Sequence, residues 1–286
     1  IKPLVATAVL TEKIITPQAQ IFSKGYIELP NPYHPSLPSR FVDWKPNGWV
    51  DVVHALAKSS NIYFYEVTGG FEKQKGLGIE KLRSWWQKFS LDQKTGIDLV
   101  GEEVGFLPDP VWKEKKTGIP WRVGDTYNVS IGQGDLLITP LELLNYITAI
   151  ANGGTLYVPR VMKSIHDDNF LIRESTTTII KDFREEIKDT LTYVQEGMRQ
   201  VVELPEGTAH SLASLPFSVA AKTGTAQINL NTKTNAFFVG YAPVDNPQIA
   251  IMVLVENARE GSANTIPVAK DVLAWYYQNR IEKTNK

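Results

Sequence analysis

Val219-Ala220-Ala221-Lys222-Thr223-Gly224-Thr225-Ala226 is the stretch on which the reading of this chain turns. A lysine amid an apolar strand is costly unless its ammonium reaches a cleft. Gly224 removes a side chain where a ligand backbone can lie alongside, and a threonine hydroxyl stands on either side of it. Such a strand edge can hold an acyl substrate by main-chain pairing while Lys222, Thr223 and Thr225 meet its carboxylate. The same residues also describe an edge strand whose solvated lysine only blocks unwanted pairing.

Around this stretch, three Val-, Ile-, Phe- and Ala-rich segments follow closely at 217–227, 235–242 and 248–256, with turn residues at 229–233 and 245–247. Close spacing predicts antiparallel pairing. A helix is expected after them at 266–280 and an amphipathic one before them at 185–203. Earlier still, Thr139-Pro140 makes an N-cap and first-turn pair for a helix ending at Asn152-Gly153-Gly154. Residues 91–125 are expected to be extended and turn-rich, and 78–89 helical. Apolar residues recur at helical spacing from Trp49 to Thr68, broken by Ser59-Ser60-Asn61 and stopped by Gly69-Gly70. The proline-rich 30–48 predicts a surface loop, 20–29 a strand or hairpin arm, and 1–11 a helix. Strands late in the chain with helices on both sides indicate an α/β (α+β) domain spanning 1–286, with one antiparallel sheet flanked by helices.

Bulk composition narrows the function. The 286 residues are 43% hydrophobic, ample for a large core. Thirty basic and 31 acidic side chains leave a net charge of −1, which argues against a nucleic-acid partner. There is no cysteine, and the four histidines (His34, His54, His166, His210) are scattered, so no metal is expected. No run approaches the roughly 18 apolar residues of a membrane span. The first ten residues are too short for a signal peptide, and any export signal or anchor is expected upstream of Ile1.

Three motifs stand in order: Lys2 at the start of a helix, Ser59-Ser60-Asn61 between two helical segments, and Lys222-Thr223-Gly224. Taken singly, Ser59-Ser60-Asn61 most simply caps a helix. Together they resemble the Ser-x-x-Lys, Ser-x-Asn and Lys-Thr-Gly set of penicillin-binding proteins and related β-lactamases. The flanks extend the likeness. The run from Ala55 to Tyr65 resembles the second-motif helix of class B enzymes, as do Ile131-Gly132-Gln133-Gly134 with Thr139-Pro140-Leu141-Glu142, and the run from Asn235 to Pro243 after the third motif. The resemblance covers nearly the whole chain and is nearest to the penicillin-binding protein 2 type, which cross-links the wall during elongation.

The resemblance implies a peptidoglycan D,D-transpeptidase. A serine three residues before Lys2, upstream of Ile1, attacks a stem peptide's D-Ala–D-Ala carbonyl, and an amine from a second stem peptide resolves the acyl-enzyme. Lys2, one helical turn on, would be the base, kept neutral by burial and a nearby cation, for which Lys222 is the candidate. Ser59 would relay a proton toward the leaving amine. Asn61 would contact substrate and orient Lys2. Thr225 would lend its main-chain N–H to an oxyanion hole, and Thr223 and Thr225 would meet the carboxylate of substrate or β-lactam. No cofactor is implied. The implied partners are stem peptides, β-lactam antibiotics and membrane proteins of the elongation machinery, at the extracytoplasmic face of the cell membrane.

Two departures matter. No serine in the chain precedes a lysine by three positions, so the chain as it stands is expected to form no acyl-enzyme. Two sheet strands that precede the first motif in the family are also expected upstream. Some relatives bind zinc near the second motif, but Asn47 stands where a histidine is often found and Ser60 where a cysteine would be. A serine β-lactamase or β-lactam sensor shares the three motifs, though 91–135 is long for either; a non-catalytic cell-wall scaffold is the third alternative.

Overall fold

The computed structural model describes residues 1–31, 34, 36–168, 170–228, 233–258 and 261–285. It opens with α1 (Lys2–Thr11), where Pro3 lies in the first turn and its missing N–H costs no helical bond. Residues 2–10 are all buried, so protein surrounds this helix on every side. Next come β1 (Ile21–Ser23), β2 (Tyr26–Leu29), β3 (Ser39–Val42) and β4 (Gly48–Val50). β1 pairs antiparallel with β4, and β2 with β3. The loop expected over 30–48 is therefore corrected: Ser39-Arg40-Phe41-Val42 contains no proline, keeps its N–H groups, and pairs with β2. Trp49 and Val50, expected to begin a helix, are in β4 instead.

Asp51 caps α2 (Val52–Ala57) by accepting from His54 N at 2.9 Å. α3 (Asn61–Gly69) follows after the three residues Lys58, Ser59 and Ser60, with Ser60 as its N-cap. α4 (Ile79–Lys88) follows as predicted. The expected extended stretch at 91–125 instead contains α5 (Pro110–Thr117) and the start of α6 (Val123–Ser130). α5 buries none of its side chains, so it has no apolar stripe to betray it, although Asp109 caps it and Gly118 ends it at φ 70°. α7 (Pro140–Ala151) has the capping box its sequence announces: Thr139 accepts from Glu142 N, and Glu142 from Thr139 N.

Four short strands have no counterpart in the sequence reading: β5 (Thr155–Tyr157), β6 (Ser164–Asp167), β7 (Phe170–Glu174) and β8 (Ile179–Asp182). β5 pairs with β8 and β6 with β7. The 20-residue α8 (Arg184–Glu203) leads to β9 (Ala220–Ile228), β10 (Lys233–Ala242) and β11 (Ile249–Ala258), then α9 (Gly261–Tyr276). The predicted turn at 229–233 lies mostly outside the described residues. α9 begins earlier than predicted and ends in a π-helical turn, Tyr277–Ile281.

The antiparallel sheet runs β11-β10-β9. It is joined by four two-stranded ladders among the described residues, where a single sheet was expected. Strand alternation sorts its side chains. Ala221, Phe238, Ala242 and Ile251 enter a core with Ala269 and Leu273 of α9. Ala220, Val239 and Tyr241 turn to the opposite face and join the main core with α1, α2 and α7. Lys222 lies opposite Val239, as Ala220 lies opposite Tyr241, so it shares this second face. α8 touches α1, α2 and β9. Its approach to α2 needs Gly197, where an added Cβ would fall 2.6 Å from Leu56 Cδ1.

Candidate active site

The sheet face bearing Lys222, the start of α1 and the turn between α2 and α3 meet in one cleft of about 1070 Å³. The turn is tight because Ser59 adopts φ 55°, in the left-handed region that costs a non-glycine residue about 1 kcal/mol. That conformation sends two consecutive hydroxyls in different directions: Ser59 Oγ into the cleft and Ser60 Oγ into the protein.

Both lysines converge on Ser59. Lys2 Nζ donates to Ser59 O at 2.7 Å, Ser59 Oγ at 3.2 Å and Asn61 Oδ1 at 2.7 Å. Lys222 Nζ donates to Ser59 Oγ at 2.8 Å and Thr223 O at 2.8 Å. Phe64 closes over the Lys2 ammonium. Lys2 and Lys222 are 7% and 4% exposed, so the charged form of each loses most of its hydration. Burial brings the Lys2 amine down to about 7, while the Asp43 carboxylate holds it up against that pull. Burial also lowers the Lys222 amine well below its ordinary value, and repulsion from Lys2 adds to that. Two buried amines of lowered basicity thus share one hydroxyl, an arrangement through which a proton can pass.

Of the other predicted residues, Thr223 Oγ1 donates to Thr208 Oγ1 at 2.7 Å. Thr225 is exposed on the outer edge of β9, and Gly224 faces open space apart from Phe237 Cβ, which an added Cβ would meet at 3.5 Å. Lys2, Ser59, Asn61, Lys222, Thr223, Gly224 and Thr225 all line the cleft.

Three cleft-lining residues have no role in the sequence reading. Asp43 is buried behind Ser59, and its Oδ2 accepts from Ser60 Oγ (2.8 Å), Ser23 Oγ (3.1 Å), Asn47 Nδ2 (3.1 Å) and Ile62 N (3.3 Å). One carboxylate thus ties β1, the 43–47 turn and the start of α3 together. Thr208 lines the cleft and holds Thr223; its N–H donates to Ala57 O at 3.3 Å. Gln133, in the Gly132-Gln133-Gly134 triplet, lies across the edge of β9. Only the triplet itself, noted for its resemblance, signalled it.

The Asp43 cluster does not suit zinc. It offers one carboxylate, one amide and two hydroxyls, with neither histidine nor cysteine, and its carboxylate oxygen is already engaged by four donors. Among the described residues no group of three His, Cys, Asp or Glu is placed to hold a metal ion, and no helix is long and apolar enough to cross a membrane.

Comparison with known proteins follows the same lines. A family model for the penicillin binding protein transpeptidase domain matches residues 1–274. The chain is 34% identical over 310 residues to the peptidoglycan D,D-transpeptidase MrdA of Haemophilus influenzae, covering all of this chain and 45% of that protein. Its structure resembles the penicillin-binding protein PBP2 of Helicobacter pylori, with a TM-score of 0.82 and 30% identity over 98% of this chain and 49% of that one. It also resembles the same organism's PBP2 in complex with MreC (TM-score 0.79, 31% identity, 98% of this chain and 49% of that one). The chain spans about half the length of these proteins.

Proposed function

This chain belongs to the penicillin-binding protein transpeptidase family, and from that premise we propose that it is the acyl-transfer domain of a peptidoglycan D,D-transpeptidase. The observation that carries the reading is the single hydrogen-bonded chain from Lys2 through Ser59 to Lys222.

In the full-length protein a serine three residues before Lys2 attacks the carbonyl of the penultimate D-alanine of a stem peptide. Lys2, neutral at about half occupancy near pH 7, takes the serine proton. Asn61 Oδ1 holds the Lys2 amine in place. The tetrahedral oxygen is met by main-chain N–H groups of the serine and of Thr225. The C–N bond then breaks, and Ser59 passes a proton to the departing D-alanine amine, with Lys2 and Lys222 on either side to replenish it. The amine of a second stem peptide attacks the ester and regenerates the serine. Thr223 and Thr225 donate to the terminal carboxylate, the Thr223 hydroxyl turning its proton from Thr208 to the ligand and accepting from Thr208 in exchange. A β-lactam follows the first half of this course and stays on the serine.

The reading extends to residues 1–286 as one domain, and to an upstream anchor placing it at the extracytoplasmic face of the cell membrane. The PBP2–MreC complex supports partners of the elongation machinery, and the charge balance argues against nucleic acid. The test is gel labelling of the full-length protein with a fluorescent penicillin. The native protein should take the label and Lys222→Ala should not; a folded native protein that stays unlabelled overturns the reading.

A further inference from the structure

The outer edge of β9 is already paired, but with a side chain. Gln133 Nε2 donates to Thr225 O at 3.1 Å, and Gln133 Oε1 accepts from Gln227 N at 3.3 Å. Residues 225 and 227 are two apart on the strand, so their N–H and C=O groups point the same way. Their groups point away from β10, to the free edge. A primary amide presents an NH2 donor and a C=O acceptor side by side, so one side chain can bond both groups. Gln133 therefore occupies two main-chain groups of β9 that an added strand would otherwise pair with. Its placement is built in: Gly132 and Gly134 on either side take φ 83° and 73°, left-handed values that let the chain turn sharply and project the glutamine between them.

This has a consequence for any acyl donor. Residues directly opposite each other in an antiparallel hydrogen-bonded pair exchange both of their bonds. If the reacting carbonyl takes the N–H of Thr225, the N–H of the same ligand residue falls on Thr225 C=O, where Gln133 now donates. We propose that Gln133 is a specificity-determining residue that holds the acyl-donor position on β9. A ligand carrying an N–H next to the reactive carbonyl must displace it from Thr225 C=O, so the glutamine offsets the advantage that this N–H would otherwise confer. This rests on the transpeptidase reading above. A ligand with that N–H exchanges one bond on Thr225 C=O for another, and a ligand without it makes none there, so the resident glutamine narrows the difference between the two.

The test uses the full-length protein and two β-lactams: a benzylpenicillin, whose amide N–H adjoins the reactive carbonyl, and a carbapenem, whose hydroxyethyl group has none there. Second-order acylation rates are measured for native protein, Gln133→Ala and Gln133→Met, the last keeping side-chain length should the alanine variant fail to fold. With the resident competitor gone, the benzylpenicillin rate should rise roughly fivefold to tenfold, the factor of one neutral hydrogen bond of ordinary net strength, while the carbapenem rate changes less than about twofold. An unchanged or lower benzylpenicillin rate overturns the proposal, and so does an equal rise for both compounds, which would make Gln133 a mere obstacle. Native protein that reacts with neither compound would sink the transpeptidase reading instead, so the two failures are distinguishable.

Discussion

Replacing Asp43 by asparagine keeps the side chain's shape and removes its charge. The carboxylate takes five donors: four on Oδ2 from Ser23, Asn47, Ser60 and Ile62, and Trp44 N on Oδ1 at 2.9 Å. An asparagine has one oxygen and one NH2, so in either orientation at least one donor faces another. A bond to an ionised acceptor contributes about 1.5–3 kcal/mol against about 1 for a neutral one, and an orphaned buried donor costs about 1–3 kcal/mol. Allowing for non-additivity, the loss comes to about 4 kcal/mol, and melting of the variant should fall by about 8 °C. A second readout separates structure from chemistry. The Asp43 charge holds the Lys2 amine up, so its removal lowers Lys2 further and moves the acidic limb of the pH–acylation profile of the full-length protein to lower pH. A melting change below about 2 °C, or a limb that moves to higher pH, refutes the reasoning.

Three further outcomes are expected. Because Lys2 must lose its proton to act, the acylation rate by penicillin should climb as pH rises through about 7, and a rate flat from pH 5 to 9 would deny it the role of base. The same depression bears on stability: Lys2 titrates near 7 when folded and at its ordinary 10.5 when unfolded, so the unfolded chain binds more protons between those values. Melting temperature should therefore rise with pH across that window and level off below about 7, and Lys2→Met should flatten the slope, as thermal melts in matched buffers would show. Gly197→Val pushes a Cβ against Leu56 and should cost about 1–3 kcal/mol while slowing acylation, measured by thermal melting and penicillin labelling.

What the sequence made legible was local. Lys222 in its apolar strand, the Ser59-Ser60-Asn61 break and the Thr139 capping box each announce themselves within a few residues. The missed parts depend on partners far along the chain. Asp43 becomes a clasp only when Ser60, 17 residues on, folds back onto it. Gln133 acquires meaning from Thr225, 92 residues away. β6 and β7 are short and largely exposed, so their pairing leaves no alternation between core and solvent to read. α5 buries nothing, and β3 hides among prolines whose punctuation dominates that stretch.

Helix α8 supplies a common datum. The carriers of Lys2, Ser59 and Lys222 belong to distant parts of the chain, yet α1, α2 and β9 each rest on this one rod. Errors in their mutual spacing therefore do not accumulate through the 163 residues that separate Ser59 from Lys222; each is gauged against the same straightedge. A substitution that shifts α8 bodily would move all three together, so α8 joins the parts of the site although it supplies none of the residues named in it.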